Sequence, residues 1–140
     1  PKEIVPPFMN FAPLKNGVES IKKSAERYQA ALAKTQADGS PALPQPVLDS
    51  VNASLMKIQR TFLTELGLPR RPWFKHAIYA PGAYTGYGAK PLAAVREYMD
   101  EKKWEEAEAQ VAPLAKVLQN VAAAIDSASE QLEKAAASPR

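Results

Sequence analysis

The chain has 140 residues, with 18 Lys and Arg against 15 Asp and Glu, a single His and no Cys. That length suits one domain able to bury roughly two-thirds of its unfolded surface. Disulfides and thiolate metal sites are excluded, a net charge of +3 does not call for nucleic acid, and no apolar run reaches the ~18 residues of a membrane span.

Pro6, Pro7 and Pro13, interleaved with Ile4, Val5, Phe8, Met9 and Phe11, predict an extended lead-in over residues 1–12. From Pro13 the pattern becomes helical. Leu14, Val18, Ile21, Ala25, Tyr28 and Leu32 recur in steps of three and four, which predicts one apolar stripe on a helix from Pro13 to Gln36. Asp38-Gly39-Ser40-Pro41, with Pro44 and Pro46, predicts a loop. A second helix starts near Pro46 with Leu48, Val51, Leu55, Ile58 and Phe62 as its stripe, and Gly67 as the residue beyond its end.

Arg70 to Lys90 has no period and is broken repeatedly by Pro and Gly. Pro91 then opens a short helix to about Asp100, and Asp100 is positioned to cap the next helix. Trp104, Ala107, Val111, Leu114, Leu118, Val121, Ile125, Ala128 and Leu132 mark the longest helix. Pro113 lies inside it and predicts a kink or a lost hydrogen bond. Residues 136–140 are expected to fray. The fold class expected is all-α: a helical bundle of three long helices and one short one, with no strand and no internal repeat. A long ordered loop rich in Pro, Gly and Tyr separates the second and third helices.

Motifs for catalysis are nearly absent. One His and no Cys leave no zinc set of the usual kind, and no phosphate loop, nucleophile elbow or dinucleotide fingerprint is present. Glu105, Glu106 and Glu108 avoid the apolar stripe and fit a solvated first helical turn better than a carboxylate pair. His76 reads more simply as a hydrogen-bonded structural or surface residue than as an acid or base. Asn52-Ala53-Ser54 matches a glycosylation sequon but falls in mid-helix. Arg70, Arg71, Lys75 and Lys90 among Trp73, Phe74, Tyr79, Tyr84 and Tyr87 resemble a basic-aromatic nucleic-acid surface. Loop anchoring by Trp73, Phe74, His76 and Tyr79, with Tyr contact area at the tip, is the simpler reading. Pro81-Gly82 suits a type II turn, and Gly86 and Gly88 around Tyr87 allow close backbone approach to another surface.

The stretch from Phe62 to Ala107, and above all GLPRRPWFKHAIYAP from Gly67 to Pro81, resembles the transferrin receptor-like dimerisation domain. This is the C-terminal helical domain of the glutamate carboxypeptidase family of di-zinc peptidases. The resemblance implies that residues 1–140 are that domain, with the lead-in leaving a peptidase domain that precedes it. It implies zinc ligands and a catalytic glutamate in that other domain and none here, so this chain has no catalytic or metal residue and no cofactor of its own. The partners implied are a second copy in a symmetric homodimer, the parent's peptidase domain, and a peptide substrate reached through the loop. Tyr87 matches the Tyr of a Lys-Tyr pair that holds substrate carboxylates in glutamate-selective members, and Tyr84 and Lys90 lie beside it as further contacts. The Lys position is Gly86 here, so a glutamate preference does not carry over.

Dimerisation and completion of the substrate cleft of a zinc exopeptidase is therefore the function expected. A partner-binding module on a catalytically inactive, transferrin receptor-like parent is one alternative. A free-standing small helical ligand-binding protein is the other. A start at Pro1 instead of Met, with no visible signal peptide, is expected of a piece or processed product of a longer protein. An extracytoplasmic or periplasmic parent is suspected.

Overall fold

The computed structural model describes residues 5–37, 39 and 42–137. Its elements run α1 (Ala12–Gln36), α2 (Gln45–Thr61), β1 (Tyr79–Pro81), β2 (Ala89–Pro91), α3 (Ala93–Asp100), α4 (Trp104–Ala109) and α5 (Val111–Ala137). The class is all-α apart from one small ribbon. Asp38, Ser40 and Pro41 of the predicted first loop, Ile4 and the residues before it, and residues 138–140 of the predicted fraying end lie outside the described residues.

The chain divides into two compact units. One holds Gly17–Thr61 with the chain from Leu118 onward. Its core is Ala31, Val51 and Leu132, packed against Tyr28, Leu32, Leu43, Val47 and Leu55. The buried positions of α1 are Gly17, Ser24 and Ala31. They stand at heptad spacing, one position away from the predicted stripe, and Val18 of that stripe is exposed. Small residues win this face because α5 comes close. A Cβ on Gly17 would stand 2.8 Å from the Cβ of Leu118, so the bulky neighbours of the small residues flank the seam instead of filling it. Arg27 closes the same seam on its polar side, donating from Nε and Nη2 to both oxygens of Glu133 at 2.9 and 2.7 Å. That fork holds the Glu133 carboxyl below its usual range.

The other unit comprises the described residues up to Asn16 together with Phe62–Val117. Met9, Ala77, Val95, Ala107, Leu114 and Val117 form its main core, and Leu68, Ala80 and Ala93 form a second one under the loop. Three expectations are corrected here. First, the predicted last helix is two: Gln110 separates α4 from α5. Pro113 has no N–H to bond back across that junction, whereas in the first turn of α5 the missing donor costs nothing. Second, Asp100 caps nothing. It ends α3 and pairs with Lys90, while Lys103 stands at the start of α4 without a side-chain cap. Third, strands exist: β1 and β2 pair antiparallel, with Tyr79 opposite Pro91 and Pro81 opposite Ala89. Three-residue strands carry no readable alternation, which is why the sequence pattern does not announce them.

Candidate functional site

The loop between α2 and β1 is an ordered double-back. Thr64 N–H donates to Lys75 O at 2.9 Å, Leu68 N–H to Phe74 O at 2.9 Å, and Ala77 N–H to Phe62 O at 2.8 Å. Gly67 sits at the bend with φ +66°. It lies well beyond the end of α2 at Thr61 and so is not that helix's terminating glycine.

The four residues expected to anchor the loop divide into two kinds. Phe74 packs against Leu68, Ala80 and Ala93, with the Arg71 guanidinium 5.3 Å from its ring centre. His76 stacks on Phe62 at 5.5 Å, and its Nδ1 accepts the N–H groups of Ile78 and Tyr79 at 3.3 and 3.2 Å. Trp73 and Tyr79 stand out from the surface instead, 69% and 57% exposed. Trp73 lies within the turn closed by Phe74 N–H onto Arg71 O at 3.0 Å, and Phe74 stands at its exit, where its carbonyl accepts the Leu68 N–H.

Residues 82–88 form the turn at the end of the ribbon β1–β2. Gly82 N–H donates to Gly88 O at 3.4 Å and Gly86 N–H to Gly82 O at 3.2 Å. The positive φ of this turn, +62°, belongs to Gly86 and not to Gly82, which corrects the type II turn expected at Pro81-Gly82. Of the three expected substrate contacts, two are engaged within the chain. The Tyr84 hydroxyl donates to Glu101 Oε1 at 2.9 Å, and Lys90 pairs with Asp100. Tyr87 is fully exposed, and among the described residues no hydrogen bond or ion pair holds its hydroxyl.

Beneath the tip lies a charge network that sequence reasoning missed. Arg71 and Glu97 are buried and meet at 2.6 Å. Arg70, at φ +64°, reaches Glu101 at 2.6 Å, and Lys103 reaches it at 2.8 Å. One signal was available: Glu97 falls one helical turn after Ala93, on the face by which the short helix packs inward. Lys103, then Arg70 and Tyr84, hold the Glu101 carboxyl down at about 2. A depressed carboxylate contributes its stabilisation above the ordinary carboxylate range, and loses it as pH falls through the folded-state value. Glu101 thus keeps its tie to Tyr84 across the neutral and mildly acidic range. Lys103→Ala is expected to return the Glu101 titration toward the ordinary range. A carbon-detected NMR titration showing no rise would mean that Lys103 is not its main partner.

A groove of about 680 Å3 lies elsewhere on the same unit, lined by Leu66, Leu68, Pro69, Pro72, Pro113 and Val117 among others. Tyr84, Tyr87 and Lys90 take no part in it. Among the described residues no three His, Cys, Asp or Glu side chains gather to hold a metal, and no helix is long and apolar enough to cross a membrane.

Residues 9–137 match the model of the transferrin receptor-like dimerisation domain. The chain belongs to that family. This dimerisation domain is 35% identical over 68 residues to a protein of Arabidopsis thaliana named as a probable glutamate carboxypeptidase, covering 44% of the chain and 10% of the relative. It is 50% identical over 36 residues, 26% of the chain and 4% of the relative, to a protein of Schizosaccharomyces pombe named as an inactive zinc metalloprotease. It is 28% identical over 95 residues, 67% of the chain and 12% of the relative, to another protein named as a probable glutamate carboxypeptidase, from Arthroderma benhamiae. The dimerisation domain thus matches between 4% and 12% of the length of these relatives, and membership of the family implies self-association.

Proposed function

We propose that this dimerisation domain pairs two copies of a zinc-dependent exopeptidase and supplies one wall of its substrate cleft. The observation that carries the reading is Tyr87. A large aromatic side chain is held clear of the scaffold on a paired ribbon, fully exposed, while its neighbours Tyr84 and Lys90 are tied down to residues at or just beyond the end of α3. A phenol presented in this way suits a ligand carboxylate that lies outside this domain. Gly86 and Gly88 on either side offer no competing side chain. The zinc and the catalytic groups belong to the parent's peptidase domain, and this chain contributes surface and hydrogen bonding, not proton transfer. Relatives named as glutamate carboxypeptidases support the reading.

The second reading is a partner-binding module on an inactive parent. It is supported by the relative named as inactive, whose matching segment has the highest identity of the three.

Tyr87→Phe in the full-length parent separates them. Loss of one hydroxyl bond is expected to weaken substrate use by about 0.5–1.5 kcal/mol, or up to about 3 kcal/mol if the acceptor is charged. The sedimentation coefficient of the dimer is expected to stay unchanged. Unaltered kinetics on an active parent would remove Tyr87 from the cleft. A parent with no zinc-dependent peptidase activity at all would favour the second reading.

A further inference from the structure

The Arg71–Glu97 pair is buried, at 9% and 5% exposure. Buried ion pairs commonly fail to recover the cost of desolvation against apolar residues of similar volume. Arg71 Nε also has no acceptor among the described residues, a further cost. What the pair does that an apolar substitute would not is grip backbone. Arg71 Nη1 donates to the Pro81 carbonyl at 2.5 Å, and Nη2 to Glu97 Oε1 at 2.6 Å. The same Glu97 oxygen accepts the Ala83 N–H at 3.0 Å. Pro81 and Ala83 flank Gly82, where the chain leaves β1 for the exposed tip. The two groups come from different elements, the loop before β1 and helix α3, so the grip ties the root of the tip to both. On the Arg70 side, Glu97 Oε2 lies 3.8 Å from the Arg70 guanidinium, which favours one orientation of the carboxylate.

We infer that Arg71 and Glu97 are positioning residues for Tyr87: they fix the root of the 82–88 tip and so set where the phenol stands, instead of bracing the fold. The inference rests on the reading of Tyr87 as a ligand contact for its purpose, but not for its test, which reads loop order in the isolated chain without substrate. Arg71 is suited to the task because a planar guanidinium can serve a carboxylate and a carbonyl at once, whereas a lysine ammonium offers no such fixed fork. Glu97 is suited because one carboxylate oxygen can accept from a side chain and a backbone N–H together.

The decisive experiment compares amide hydrogen exchange in the wild-type chain and in the apolar double variant Arg71→Met/Glu97→Leu. The double variant is expected to melt within a few degrees of wild type. Exchange at Ala83 and Gly86, whose N–H groups donate to Glu97 and to Gly82 O, is expected to rise about tenfold or more, with α5 unchanged. Unchanged exchange at the tip would overturn the proposal. So would a loss of protection shared evenly with α5, since that is the mark of a purely structural pair. If the double variant does not fold, the wild-type chain still decides. Ala83 N–H is expected to be better protected than the Tyr84, Thr85 and Tyr87 amides, which donate to no acceptor among the described residues, and equal protection would overturn the proposal. A tip that loosens in the variant while the parent's kinetics stay unaltered would uphold the positioning role and count against the cleft reading alone.

Discussion

Leu132→Ala is expected to cost about 2–5 kcal/mol of folding stability. Leu132 is 1% exposed and lies with Ala31 and Val51 at the centre of the three-helix unit. Truncation removes apolar contact and leaves a cavity. The walls of that cavity are helices already in close contact through small residues, so collapse recovers little. The matched control is Glu130→Ala, exposed on the same helix and expected to change stability by less than about 0.5 kcal/mol. Urea denaturation of the two variants measures the difference. Similar midpoints would mean that the buried face of α5 is not the one described.

Gly67→Ala is the second large effect, expected at about 2–4 kcal/mol. Two costs combine. Gly67 has φ +66°, where any Cβ is strained. In addition, a Cβ there would stand 2.3 Å from Pro72 O and 2.9 Å from Phe74 O. Both are backbone atoms of the returning arm, and neither can swing aside as a side-chain tip would. The bond from Leu68 N–H to Phe74 O must then lengthen or break. Gly86→Ala separates the two costs. Its φ of +62° is nearly the same, but nothing lies within 4 Å of the added Cβ, so strain alone remains, about 1–2 kcal/mol. Equal losses of thermal stability in the two variants would show that the arms of the double-back are not packed as closely as described.

The helices were legible in the sequence because amphipathic periodicity is a local property. Leu118, Val121, Ala128 and Leu132 repeat on one face, and burying that face is enough to make a helix. The absence of His and Cys clusters likewise bounded the chemistry without any structure, since a zinc site needs ligands before it needs geometry. The motif from Gly67 to Pro81 was readable as a family resemblance.

Tertiary structure decided the rest. Periodicity names a stripe but not its centre, and the close approach of α1 to α5 moved that centre onto Gly17, Ser24 and Ala31. Pro113 announced a disturbance. Only the structure shows that it is a break between two helices at Gln110, with Ala107 and Val111 buried on either side. Above all, Arg71 and Glu97 lie 26 residues apart in sequence. Each alone reads as an ordinary surface charge, and neither carries a local signature of burial beside a partner. The pairing exists because the loop folds back through Gly67 and sets Arg71 against α3, and that long-range closure is what places Tyr87.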